Sequence, residues 1–82
     1  MKYRSRTEIV AMILEAANGR GATKTKILYK AFLSFAQLQE YLTMLRDNRL
    51  IEYEGGQRTY RTTEKGVHLL HIYNKMYELV PH

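Results

Sequence analysis

Three lysines, Lys24, Lys26 and Lys30, fall within seven residues, and Arg58 and Arg61 recur three apart further along the chain. Cations at that density can neutralise a row of phosphates, the contact from which affinity for a polyanion mostly derives. Between the two groups lies a different chemistry. Ser34, Ala36, Gln37, Gln39, Glu40 and Thr43 offer hydroxyls, amides, a carboxylate and a methyl, all able to hydrogen-bond or pack against an external surface. Tyr29 and Phe35 flank the same stretch as candidate aromatic contacts. His68 and His71 are spaced so that both imidazoles could reach one metal, but no third ligand accompanies them, and surface histidines on a polar arc are expected. One Asp, two Ser, no Cys and no glycine-rich phosphate loop leave no catalytic constellation, so no enzyme, cofactor or small-molecule substrate is expected.

The chain has 82 residues and a net charge of +5. A chain of this length buries only about 60% of its unfolded surface, enough for one domain over residues 1–82 and too little for a deep enclosed cavity. The absence of cysteine excludes a disulfide framework and a thiolate zinc site, and fits an intracellular setting. No apolar run approaches the roughly 18 residues of a membrane span, and no secretory leader follows the basic start. The charge is uneven. Residues 1–30 hold seven bases against two acids, residues 31–54 two bases against four acids, and Arg58, Arg61 and Lys65 face only Glu64. A single anion-binding face requires a fold that brings the two basic zones together.

The elements that must do so can be read in order. Ser5 and Glu8 have capping-box spacing, and Ile9, Val10, Ile13, Leu14 and Ala17 then recur on one helical face until Asn18 and Gly19. After a loop over 19–23 with room for a short extended piece, Ile27, Leu28, Ala31 and Phe32 mark the inner side of a short helix whose outside carries the three lysines. Ser34 with Gln37 forms a second capping box, and Leu33 with Leu38 a hydrophobic staple, so the next helix starts at a fixed corner. Leu38, Tyr41, Leu42 and Leu45 form its inner stripe, leaving Ala36, Gln37, Glu40, Thr43 and Asp47 outside. Leu50 to Glu54 alternates, Gly55 and Gly56 turn, and Arg58 to Arg61 alternates around Tyr60, which predicts a β-hairpin. Thr63 caps a last helix that runs towards Val80 and stops at Pro81. Tyr41, Tyr53, Tyr60 and Tyr73 fall at expected core positions.

Helix, helix, tight corner, helix, hairpin, helix is the order of an α+β winged helix-turn-helix, with core and wing over 6–62 and the last helix over 63–80. In such a module the second helix of the pair enters the major groove while its partner and the wing grip phosphates. Gln37 and Gln39 could then bond adenine, Ala36 or Thr43 touch a thymine methyl, and Glu40 accept from cytosine N4. No Arg or Lys falls in the first three turns, so modest sequence specificity is expected, with affinity supplied mainly by phosphates. With about five bases on phosphates, the slope of log affinity against log salt is expected at roughly −4 to −5.

The chain resembles the archaeal winged-helix DNA-binding proteins, including the small dimeric ten-kilodalton chromatin proteins of crenarchaea. The resemblance spans roughly Thr7 to Tyr77 and rests on Ile13 to Ala16, Lys24 to Tyr29, Leu33 with Ser34, Tyr41 to Leu45, Leu50 with Ile51, and Thr63, Lys65 and Gly66 with Leu69 and Leu70. It implies double-stranded DNA binding by a homodimer joined through the C-terminal helix, with roles from transcriptional regulation to chromatin architecture in a cytoplasmic nucleoid. The residues point to a dimer independently. Leu69, Leu70, Ile72, Tyr73, Met76, Tyr77, Leu79 and Val80 cover roughly 180° of the last helix at about 100° per residue, wide for a helix packed on one small domain, so a second copy is expected to cover part of it; the alternative is a monomer whose broad stripe fills its own core. The rival readings are a protein-docking winged helix, using Glu40, Asp47, Glu52 and Glu54, and an RNA-binding module.

Overall fold

The computed structural model describes residues 4–79. The elements follow as α1 (Arg6–Ala16), α2 (Lys24–Ala31), α3 (Phe35–Asp47), β1 (Ile51–Glu54), β2 (Thr59–Thr62) and α4 (Glu64–Leu79), the order read from the sequence. A side chain caps the start of each of the four helices. Ser5 Oγ accepts from the Glu8 amide at 3.1 Å while the Ser5 amide donates to Glu8 Oε1 at 3.4 Å. Ser34 and Gln37 make the same reciprocal pair at 3.2 and 3.0 Å. Thr23, read as loop, caps α2 by accepting from the Lys26 amide at 3.2 Å. Each cap satisfies an amide that the first helical turn leaves unpaired.

The main core joins Ile13 of α1, Ile27 of α2, Leu38, Leu42 and Leu45 of α3, and Ile51 of β1, all fully buried or nearly so. Both members of the staple, Leu33 and Leu38, lie in it, which holds the α2–α3 corner at a defined angle. A second cluster of Ala11, Leu14 and Leu70 packs α4 on α1. The strands pair antiparallel with Ile51 opposite Thr62 and Tyr53 opposite Tyr60. Buried Thr62 ties the wing to α1: its hydroxyl donates to the Leu14 carbonyl at 2.6 Å and its amide to the Ala17 carbonyl at 3.0 Å. Those bonds serve a helix end that lacks partners of its own.

The start of α4 is laid on the connection between α3 and β1. The Thr63 amide donates to the Leu50 carbonyl at 3.1 Å, and its hydroxyl donates to the Arg49 carbonyl at 2.7 Å while accepting from the Gly66 amide at 3.1 Å. A Cβ on Gly66 would run into the Leu50 carbonyl and the Thr62 methyl, so the approach is one that only glycine permits.

Four details differ from the sequence reading. Phe32 is not an inner residue of α2: it ends the helix at φ 53 and is 76% exposed. Tyr53 is 43% exposed rather than core, because it lies at the free end of the hairpin and leans on Tyr60 with ring centroids 4.8 Å apart, and Tyr73 is only half-buried between α4 and α1. Arg58 belongs to the turn rather than to a strand, and it, not Gly55 or Gly56, takes the left-handed conformation, at φ 55. The expected stop at Val80 and Pro81 lies outside the described residues.

Candidate nucleic-acid interface

The outward side of α3 is open. Ala36, Gln37, Gln39, Glu40 and Thr43 are all exposed, and Ala36, Gln39, Glu40, Thr43 and Asp47 line a shallow groove along the helix. Two of the groups read as contacts are already engaged: the Ser34 hydroxyl and Gln37 Oε1 belong to the capping box, which leaves Gln37 its amide hydrogens. Gln39 is held at both ends. Its Oε1 accepts from Lys24 Nζ at 2.6 Å, its Nε2 donates to Thr43 Oγ1 at 3.4 Å, and the Thr43 hydroxyl donates to the Gln39 carbonyl at 3.0 Å. Glu40 and Asp47 share the groove, so its floor disfavours an anion and offers hydrogen-bond acceptors instead.

The backbone joins the two basic zones at one point. Ala22 and Tyr60 exchange amide-to-carbonyl bonds at 2.8 Å in both directions, so the chain enters α2 from the edge of the wing. Gly21 lies beside Arg61 at φ +87, where a Cβ would come within 2.8 Å of the Tyr60 carbonyl. Lys24 therefore starts α2 close to the wing and reaches across to α3, with its ammonium 5.0 Å from the centre of the Phe35 ring. Lys26 is exposed on α2, and Arg58 is exposed at the turn of the wing. The remaining two cations are placed differently. Lys30 lines a cleft between α1 and α4 with Glu8 and Glu15. Arg61 is paired across the hairpin with Glu54 at 2.5 Å and Glu52 at 3.5 Å.

Two cations escaped the sequence reading. Arg46 stands seven residues after Gln39, on the stripe that also carries Thr43, and its guanidinium lies 5.9 Å from the Tyr53 ring centre, joining α3 to the wing. The i, i+4, i+7 spacing of Gln39, Thr43 and Arg46 was the available signal. Arg4 donates to the carbonyls of Ala31 and Phe32, a contact between distant segments that no local pattern reports.

On α4, Leu69, Ile72, Met76, Tyr77 and Leu79 are exposed, while Tyr73 turns partly towards α1; Val80 lies outside the described residues. Burial, with the Glu8 carboxylate and Tyr77 adding to it, pushes the Tyr73 phenol above its ordinary pKa. His68 and His71 are exposed, and among the described residues no group of three or more His, Cys, Asp or Glu is arranged to hold a metal. No helix among them is long and apolar enough to cross a membrane.

A family profile described as winged helix-turn-helix matches residues 3–80. The chain belongs to the winged helix-turn-helix family. Among solved structures, this winged helix-turn-helix chain is similar to Sso10a-2, a DNA-binding protein from Sulfolobus solfataricus. The likeness has 26% identity and a TM-score of 0.70, and covers 92% of this chain and 83% of the other. No curated protein sequence matches it. Profile and structure agree with the α+β order of the elements and with the resemblance to archaeal winged-helix proteins.

Proposed function

We propose that the protein binds double-stranded DNA as a homodimer. In this reading α3 lies in the major groove and presents Ala36, Gln39, Glu40 and Thr43 to base edges, with the Gln37 amide at its start. Lys24, Lys26 and Arg58 lie on flanking phosphates, and Ser34, Tyr29 and Phe35 border the groove. Lys30, which lines the α1–α4 cleft, and Arg61, paired with Glu52 and Glu54, contribute less. The observation that carries the reading is the open groove of α3 with Lys24 seated on its rim. A DNA-binding neighbour matched over most of both chains supports it. Two copies would join through Leu69, Ile72, Met76, Tyr77 and Leu79 of α4, with Tyr73 at the edge. A dimeric, weakly sequence-selective binder suits a transcriptional regulator or an architectural protein of the nucleoid.

A gel-shift titration with duplex DNA and duplex RNA of one sequence tests this. Duplex DNA is expected to bind at least about tenfold more tightly, because the A-form major groove is too deep and narrow for a helix. Thr43→Glu, at an exposed position, is expected to abolish the shift without unfolding the chain. Equal binding of both duplexes, or an unchanged shift with Thr43→Glu, removes α3 from the interface.

A further inference from the structure

Phe32 sits where phenylalanine gains no burial from the fold. A residue that ends a helix in the left-handed region is commonly glycine, since a Cβ there costs roughly 1–2 kcal/mol. Here the ring is nevertheless left in solvent, so neither backbone nor core accounts for it. Residues held in such conformations cluster at functional sites. Phe32 has company: Phe35, across the buried Leu33, is 62% exposed, and Tyr29, three residues before, is 72% exposed. Each phenylalanine carries a cation. The Arg4 guanidinium lies 6.0 Å from the Phe32 ring centre, and the Lys24 ammonium 5.0 Å from that of Phe35. From Arg20 to Gln39 the chain holds four bases and no acid.

Solvent-facing rings interleaved with positive charge suit a flat, negatively backed ligand. An apolar protein surface has no use for the cations, and an intact duplex keeps its base faces stacked inside. Unpaired bases offer both a π-face and a phosphate. We propose that the elbow between α2 and α3 also takes the unpaired bases of a single strand, on a surface that adds Phe32 to Tyr29, Phe35, Lys24 and Lys26 and so overlaps the duplex interface. Phe32 and Phe35 stack on bases, Tyr29 extends the platform, Lys24 and Lys26 hold the phosphates, and Arg4, bonded to the Ala31 and Phe32 carbonyls, backs the Phe32 ring. Phe32 takes no part in the duplex reading, so a change there tests the single-strand site alone.

The chain has no tryptophan, so Phe32→Trp places one reporter at the site. Titration with an oligothymidylate of about a dozen nucleotides is expected to lower its emission about twofold or more, and polyvinyl sulfate, a polyanion without bases, to leave it unchanged. Phe32→Gly is expected to weaken oligothymidylate binding about tenfold, with duplex affinity within about twofold and no fall in melting temperature. Equal binding of an oligouridylate assigns the site to unpaired bases on either sugar, and preference for oligothymidylate assigns it to DNA. Equal quenching by polyvinyl sulfate, or unchanged oligothymidylate affinity in Phe32→Gly, overturns the proposal.

Discussion

The ammonium of Lys24 lies 2.6 Å from Oε1 of Gln39, so a side chain at the start of α2 orients one in the second turn of α3. An exposed contact of this kind adds little to folding, about 1 kcal/mol at most. Its value lies in presenting Gln39 in one rotamer beside a cation. Lys24→Met keeps the stem and removes the charge. Duplex affinity is expected to fall about five- to tenfold and the salt slope to shrink by about 1 per copy, with a melting temperature shift of a few degrees at most. Fluorescence anisotropy across a salt series and a thermal melt measure both.

The pairing of Arg61 with Glu54 and Glu52, and the place of Lys30 in the α1–α4 cleft, lower the number of cations available to one duplex face. Of the five cations expected from the sequence, Lys24, Lys26 and Arg58 remain in each chain. At about 0.9 per neutralised phosphate, the slope of log affinity against log salt is expected near −3 for one copy and near −5 for two, the latter for a homodimer. A flat salt dependence contradicts phosphate contacts by these residues.

Ser34 holds the elbow through its bonds with Gln37. Ser34→Ala is expected to cost about 1 kcal/mol, a fall of roughly 4–8 °C in melting temperature for a domain of this size. Circular dichroism on heating reads this directly. An unchanged midpoint means that the staple of Leu33 and Leu38 fixes the corner unaided.

Ile72 is 45% exposed in the single chain, so its side chain can be changed without opening the core. Ile72→Glu places a charge in the middle of the α4 face. Sedimentation at micromolar concentration is expected to give about twice the 9.7 kDa chain mass for the unaltered protein and a single-chain mass for the variant. A single-chain mass for both rules out the dimer.

What could be read from the chain in advance was local. Ser5 with Glu8 and Ser34 with Gln37 announce helix starts because both partners lie within one turn, and Leu38, Leu42 and Leu45 repeat along one helix. What escaped needed two elements at once. The Ala22–Tyr60 pairing joins segments almost forty residues apart, and it decides that Lys24, rather than Lys30, stands beside the wing. Arg61 finds its carboxylates only through the register of the hairpin. Phe32 looks like core by spacing, but periodicity assumes helical backbone, and the backbone leaves the helix at that residue.

Gly66 lets the spine of α4 rest on the carbonyl of Leu50, immediately before the hairpin opens. With no side chain between them to act as a cushion, the shaft and the ribbon cannot swivel independently. In an assembly built through the far end of that shaft, the bearing of each reading head would be dictated by how the two shafts cross, making the distance between contacted stretches of duplex a property of rod geometry rather than of loop length.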